Sequence, residues 1–230
     1  MADKEILIFV EGPSDKVFLE VYLYFLEDLP IKNFKVKDVK GKDNLSKRLL
    51  EIEKYDKTLI IFDADNYKSN KKEILTVVSK TKQTISEEQI FLFPNNQDDG
   101  DLETLLLKIA KHDKLIKCFE KYLKCIECKC KCIEIKEHCN PIKKTRKHML
   151  YAYLEVFELQ KFFQCSWDTN NKKQERYLII DDKGRIKGEY KEQYEKLKKV
   201  LDFSSKSLNL LKNFLRQFAE NDQKINPKVF

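Results

Sequence analysis

Acidic side chains follow three predicted strands of this sequence at the point where each strand ends. The apolar runs that predict these strands cover residues 5–10, 58–62 and 90–93. The acidic residues that follow them are, in chain order, Glu11 and Asp15, then Asp63 and Asp65, then Asp98, Asp99, Asp101 and Glu103. Parallel strands end at one edge of a sheet, and open α/β sheets bind their ligands there. We therefore expect these carboxylates to converge.

This group of carboxylates predicts a site for a divalent cation. Carboxylates held close together raise one another's pKa unless a cation neutralises them. Mg²⁺ takes oxygen ligands and is the usual ion where the substrate is a phosphate, with Mn²⁺ as an alternative. Taken one at a time, Asp15, Asp101 and Glu103 are better explained as residues that cap or begin a helix. It is the convergence of all three groups that favours a shared site.

The elements that must position these residues alternate between strand and helix in the first part of the chain. Strands are predicted at the three runs above and at 34–39, and a helix follows each strand, the first with Ser14 as its N-cap. This alternation predicts an α/β fold, a Rossmann-like parallel sheet flanked by helices, over residues 1–112. Residues 113–230 are predicted to form an α-rich C-terminal extension with a short β-hairpin near 176–186.

The charge of the chain changes sign along its length. Residues 1–110 carry 17 basic and 21 acidic side chains, whereas residues 111–150 carry 12 basic and 5 acidic ones. Carboxylates repel a polyanion, so a nucleic acid that reaches the acidic edge of the sheet needs basic residues nearby. The residues that we expect to bind DNA or RNA are Lys143, Lys144, Arg146 and Lys147.

Two acidic motifs resemble the Toprim domain, which topoisomerases, bacterial primases, OLD-family nucleases and small RNA-maturing nucleases share. The first motif is Glu-Gly-Pro-Ser-Asp at residues 11–15, and the second is Asp-Ala-Asp at residues 63–65. Residues 93–103 are similar to the third motif of small stand-alone Toprim-like bacterial proteins related to the OLD family. The resemblance is strongest over residues 5–108 and implies a Toprim-like sheet.

The resemblance also implies roles for the acidic residues. Glu11 is expected to be the general acid or base, or a metal ligand, and Asp63 and Asp65 are expected to act in catalysis by holding Mg²⁺. The full set of implied metal ligands is Glu11, Asp15, Asp63, Asp65, Asp101 and Glu103. A lysine at 143 or 144 could stabilise charge on the scissile phosphate, although a solvated surface lysine is the simpler interpretation of either position.

The function implied by the resemblance is that of a Mg²⁺-dependent nuclease acting on DNA or RNA, with a defence system as one setting. The size of the chain argues against a topoisomerase or a primase, because each of these enzymes needs further domains. The sequence also has no P-loop motif for ATP. The alternative is a non-catalytic nucleic-acid-binding or regulatory protein of the same fold. Such a protein would act beside a separate ATPase or toxin partner.

Seven cysteines without an export signal predict reduced thiols in a cytoplasmic protein. Those at 125, 128, 130, 132 and 139, with His138, would allow a zinc site, but only one pair has the Cys-x2-Cys spacing. We therefore favour an apolar stripe on one helix with cysteines as core residues, and expect no zinc. That stripe comprises Leu115, Cys118, Tyr122, Cys125 and Cys132. No apolar run reaches the length that a membrane span requires.

Overall fold

In the computed structural model, four strands form one parallel sheet. The structure describes residues 6–26, 34–49, 52, 55–80, 85–132, 145–163 and 188–220. The strands are β1 (Ile6–Val10), β2 (Phe34–Asp38), β3 (Lys57–Asp63) and β4 (Ile90–Phe93), in the order β2-β1-β3-β4. All three pairings are parallel, which confirms the predicted α/β, Rossmann-like sheet.

The central strands are made of apolar residues that are buried on both sides of the sheet. Every residue of β1 and of β4 is buried, and so are residues 58–62 of β3. Such continuous apolar runs are typical of parallel strands that are covered by helices on both faces. In the register of the sheet, Val10 lies opposite Ile61 and Asp63 lies opposite Phe93, so the loops after β1, β3 and β4 leave from one edge.

Helices cover the two faces of the sheet unequally. One face, with Leu7, Phe9 and Phe62, is covered by α2 (Leu45–Arg48) and α3 (Tyr67–Lys80). The other described α-helices lie on the opposite face, where they share a core with Ile8, Val10 and Phe93. They are α1 (Pro13–Phe25), α4 (Leu102–Lys108), α5 (Asp113–Cys132), α6 (Thr145–Glu155), α7 (Gln160–Phe163), α8 (Lys191–Val200) and α9 (Asn209–Glu220).

The α-rich extension packs on the sheet and continues its core. Tyr153 of α6 and Leu215 of α9 are fully buried in the core that also contains β1 and α1. The hydroxyl of Tyr153 donates to the carbonyl of Val200 at 2.8 Å. Ala110, which follows α4, forms an antiparallel bridge with Leu201 after α8. The boundary between residues 1–112 and the extension, as predicted from the sequence, therefore lies within a continuous hydrophobic core.

The outer strand β4 has a local cap at its free edge, and the other outer strand, β2, carries two lysines. At β4 the N–H of Leu92 donates to Oδ1 of Asn96 at 3.1 Å, and the N–H of Asn96 donates to the carbonyl of Leu92 at 2.6 Å. At β2 the ammonium groups of Lys35 and Lys37 lie 5.9 Å and 5.4 Å from the ring centre of Tyr55. Asn96 thus replaces a neighbouring strand for one residue of β4.

The predicted stripe of core cysteines on α5 is wrong in its described part. Cys118 and Cys125 are exposed, and Tyr122 is 62% exposed. The residues of α5 that pack on the core are Leu115, Ile116 and Phe119, so the buried stripe is rotated about the helix axis relative to the predicted one. The cysteine and histidine side chains from 128 to 139 lie outside what the structure describes, as does the hairpin predicted at 176–186. No helix among the described residues is long and apolar enough to span a membrane.

Candidate functional site

Glu11 and Asp15 lie where β1 passes into α1. The N-cap of this helix is Gly12, not Ser14 as predicted. Asp15, three residues later, stabilises this start of the helix, because its Oδ2 accepts the N–H of Gly12 at 2.8 Å. Ser14 instead donates its hydroxyl to the carbonyl of Phe163 at 2.9 Å. Asp15 is buried, and Oε2 of Glu11 is buried without a hydrogen-bond partner among the described residues.

Asp63 and Asp65 lie at the end of β3, and both form hydrogen bonds with residues at or just before the start of α4. Oδ1 of Asp63 accepts the N–H of Leu102 at 2.8 Å, and the carbonyl of Asp63 accepts Nδ2 of Asn70 at 2.7 Å. Asp65 has a left-handed φ of 47°, a conformation that aspartate tolerates better than most residues. Its N–H donates to the carbonyl of Gly100 at 2.7 Å. The loops after β3 and β4 are therefore fixed to each other.

The start of α4 contributes Asp101 and Glu103. Asp101 is the N-cap, and its Oδ1 accepts the N–H of Thr104 at 2.8 Å, which confirms the capping role expected for this residue. Glu103 is in the first turn of the helix and is half-buried. Asp101 thus stabilises the start of the helix, and Glu103 is near enough to Asp15 and Asp63 to raise their pKa values.

The remaining two acidic residues after β4 serve the loop itself. Oδ2 of Asp98 accepts Nδ2 of Asn95 at 2.7 Å, and Oδ1 of Asp99 accepts the N–H of Tyr67 at 2.7 Å. Both aspartates are exposed. They hold loop and helix ends in place and do not join the buried carboxylates.

Four of these carboxyl groups are buried enough, and close enough together, to have raised pKa values; they are Glu11, Asp15, Asp63 and Glu103. Burial is the largest cause in each case. Burial raises the pKa of Asp15 to about 7; the hydrogen bond from Gly12 opposes this rise, and the charges of Glu103 and Glu11 add to it. Burial, then Asp15 and Glu103, raise the pKa of Asp63 well above its usual range. Groups perturbed in this way cluster at functional sites.

Two basic side chains of α6 contact this carboxylate group. Nη2 of Arg146 lies 3.2 Å from Oδ2 of Asp101, and Nζ of Lys147 lies 3.8 Å from Oε1 of Glu103. Half of the residues predicted to bind nucleic acid are therefore paired with predicted metal ligands. The other two, Lys143 and Lys144, lie outside the described residues.

Lys42 lies near the site and is a basic residue that was not predicted to belong to it. It follows β2, where the N–H of the preceding Gly41 donates to the carbonyl of Glu11 at 2.9 Å. Burial raises the pKa of Glu11 and Asp65 adds to the rise, whereas the nearby charge of Lys42 lowers it. The Gly-Lys pair directly after a predicted strand, at the same edge as the carboxylates, is the signal that could have identified it.

The chemistry of the donor set fits a hard divalent cation. All the clustered groups are carboxylates, which Mg²⁺ and Mn²⁺ accept as ligands, and the buried Oε2 of Glu11 has no other partner among the described residues. In that part of the chain, no three carboxylate, imidazole or thiol groups are already arranged to hold a metal ion.

Comparison with known proteins identifies the family of this chain. No curated protein and no solved structure matches the sequence. One family profile, described as "Protein of unknown function (DUF3226)", matches residues 5–220. The match runs from the first strand to the last helix and includes every acidic residue of the site. The chain therefore belongs to the DUF3226 family.

Proposed function

We propose that this protein is a Mg²⁺- or Mn²⁺-dependent nuclease that hydrolyses phosphodiester bonds in DNA or RNA. The observation that carries the proposal is the group of buried carboxylates at which the segments after β1, β3 and β4 meet. Burying several carboxylates together is unfavourable unless a cation or a proton compensates their charge. The Toprim resemblance of residues 11–15 and 63–65 supports the same activity.

The proposed metal ligands are the acidic residues of the three loops. When bound, the cation would neutralise charge on the phosphate and favour ionisation of a water molecule. Asp63 and Asp65 would hold it from β3, and Glu11 after β1 would remain free to act as the general base. The remaining ligands would come from Asp15, Asp101 and Glu103, the last two after release from Arg146 and Lys147.

In the proposed reaction, Glu11 accepts a proton from the attacking water. The water oxygen forms a bond to phosphorus while the bond from phosphorus to the leaving sugar oxygen breaks, and that oxygen gains a proton from solvent. Burial and Asp65 raise the pKa of Glu11, which makes its carboxylate a better proton acceptor than an exposed glutamate. General acid–base groups typically contribute about 10²- to 10⁴-fold to rate.

A cleavage assay tests this proposal on single- and double-stranded DNA and RNA, each with Mg²⁺, Mn²⁺ or a chelator. Asp63→Asn keeps an oxygen for the N–H of Leu102 but removes the charge, so we expect a folded protein with at least about 10²-fold less activity. The matched control is Asp99→Asn, since Asp99 accepts a backbone N–H in the same way but is exposed and outside the buried group. Equal cleavage by both variants would contradict the proposal.

A second candidate is a non-catalytic member of the same fold that binds nucleic acid or regulates a partner. One observation favours it: Arg146 and Lys147 already pair with Asp101 and Glu103. For such a protein, nucleic-acid binding should be unaffected by chelator and no substrate should be cleaved with either metal.

A further inference from the structure

A buried amide side chain connects Lys42 to the acidic edge of the sheet. Nζ of Lys42 lies 3.4 Å from Oδ1 of Asn70, and Nδ2 of Asn70 donates to the carbonyl of Asp63 at 2.7 Å. Asn70 is only 3% exposed, so its amide has a fixed orientation with one end on the strand and the other on the lysine. Lys42 is thereby held beside the strand end that carries Asp63.

The loop that carries Lys42 is also attached to the site. Lys40 and Gly41 have left-handed φ values of 60° and 97°, and Gly41 donates its N–H to the carbonyl of Glu11 at 2.9 Å. Asn44 closes the turn, because its Nδ2 donates to the carbonyl of Lys40 at 2.8 Å and its N–H to that of Gly41 at 3.0 Å. A left-handed lysine persists only where the surrounding contacts hold it, so this loop has a defined shape.

The acidic partner of Lys42 is more exposed than the acidic partners of the basic residues of α6. That partner is Glu73, whose Oε2 lies 3.5 Å away and whose side chain is 54% exposed, and pairs of this kind are weak in water. An ammonium has three N–H donors, and its two contacts in the described structure are both long. An anionic oxygen could therefore replace Glu73 at this lysine without breaking a buried pair.

We propose that Lys42 binds a phosphate of the nucleic acid, next to the bond that the carboxylate site would cleave. This inference rests on the proposed function for the identity of the substrate. A polyanion that approaches buried carboxylates needs a fixed positive charge close to them, and Lys42 is near enough to lower the pKa of Glu11. Lys42 thus adds a phosphate contact to those predicted at Lys143, Lys144, Arg146 and Lys147.

The experiment measures binding of a short DNA and a short RNA to the Asp63→Asn protein, which should leave the substrate intact. Addition of Lys42→Met should lower affinity about three- to tenfold and reduce the slope of log affinity against log salt by about one. The control is Lys47→Met, which removes the same charge from an exposed lysine on α2; it should change affinity by less than about twofold. Equal effects of the two substitutions would overturn the assignment.

The outcome for Lys42 can be separated from that for the proposed nuclease function. If wild type cleaves no substrate but Lys42→Met still lowers affinity and salt slope, the nuclease function fails and the phosphate contact stands. If wild type cleaves and Lys42→Met binds with unchanged affinity and slope, the nuclease function stands and this inference fails. Lys42→Arg, which keeps the charge, should retain binding in either case.

Asn70 would then be a positioning residue that acts through Lys42. Asn70→Ser removes the contact to Lys42 and should also reduce the salt slope. The discriminating measurement is the same substitution in the Lys42→Met protein, where it should cause no further change in slope, since residues that act through one contact are not additive. A further reduction of equal size in that protein would show that Asn70 acts independently and would exclude the positioning role.

Discussion

Asp63 combines two roles in one buried carboxylate. Its Oδ1 accepts the first N–H of α4, from Leu102, at 2.8 Å, and helix N-termini favour a negatively charged acceptor. Burial and the neighbouring Asp15 nevertheless raise the pKa of Asp63, so a proton or a cation is needed to complete its environment. A divalent ion at this position would stabilise both the carboxylate group and the start of α4.

Stability without metal should fall as pH rises, because Asp15 has a raised pKa. Its pKa of about 7 in the folded protein exceeds the ordinary value of 3.8, so protonation favours the folded state. This contribution is complete below about pH 4 and is lost as pH rises through 7. Between about pH 6 and pH 8, urea denaturation in chelator should show a loss of about 1 kcal/mol. Asp15→Asn should show a smaller loss, since the other carboxyl groups with raised pKa values remain, and an identical pH dependence in both proteins would refute the assignment.

Mg²⁺ or Mn²⁺ should raise the melting temperature by binding only the folded protein. At about 100 times the dissociation constant, such binding adds roughly 2–3 kcal/mol, which corresponds to several degrees. Asp63→Asn combined with Asp65→Asn should abolish the increase, as followed by circular dichroism. Because Asp99 is exposed and holds a loop, Asp99→Asn should leave the increase intact. A full increase in the double variant would place the metal elsewhere.

The residues at strand ends could be predicted from the sequence because strand and motif boundaries are local patterns. Glu11, Asp15, Asp63 and Glu103 do come together by virtue of the parallel sheet. The contact between Lys42 and Asn70 could not be predicted, because it joins residues from two different loop–helix connections. Nothing in the sequence connects Asn70 with Lys42.

At the scale of elements, α6 brings positive charge to the carboxylates. Its first turn places Arg146 against Asp101 and Lys147 against Glu103. These ion pairs connect α6 to α4, and they occupy part of the acidic surface that a metal or a substrate would use. A basic segment was predicted here from charge alone, but its pairing within the protein was not.

Lys147→Met should strengthen binding of Mg²⁺. Lys147 lies 3.8 Å from Glu103, and its charge also lowers the pKa of Asp15, so it repels a cation that approaches either carboxylate. Since the lysine is partly exposed, we expect a modest effect, about two- to fivefold tighter binding by calorimetry. Lys117→Met, on the exposed face of α5, is the control and should have no effect. Weaker Mg²⁺ binding by Lys147→Met would mean that Lys147 supports the site.

On α5, the side of the helix that meets the core differs from the predicted side. Helical spacing alone places Cys118, Tyr122 and Cys125 on one side of the helix, but it does not say which side meets the core. The neighbouring side with Leu115, Ile116 and Phe119 is larger and more apolar, and that side packs on the protein. The face of a helix with the larger apolar area gains more free energy from burial. The face with the small cysteine side chains therefore stays exposed.

At the scale of the whole molecule, one hydrophobic core joins the first strand to the last helix. Leu215 of α9 and Phe91 of β4 belong to the same buried cluster, and Phe214 contacts Phe91 with ring centres 5.3 Å apart. The carboxylate site lies at the edge of a sheet that this core supports. Helices from the α-rich extension are therefore part of what keeps β1, β3 and β4 in place.

Leu215→Ala should destabilise the whole protein. A fully buried leucine typically contributes about 2–5 kcal/mol relative to alanine. Leu210→Ala on the same helix is the control, since Leu210 is 43% exposed, and it should change the free energy of unfolding by less than about 0.5 kcal/mol. Far- and near-ultraviolet circular dichroism should give one coincident transition in each protein. Separate transitions would show that the extension unfolds independently of the sheet.

The outer edges of the sheet affect how copies of this protein can associate. Exposed strand edges are templates for aggregation, and proteins block them with charged side chains or with local caps. Asn96 takes up both backbone groups of Leu92 on β4, and Lys35 and Lys37 place like charges along β2. Continuous sheets that extend from one molecule to the next are disfavoured on both sides. Crowding of the folded protein should accordingly favour fibril-like growth through these two strands less than it would with bare strand edges.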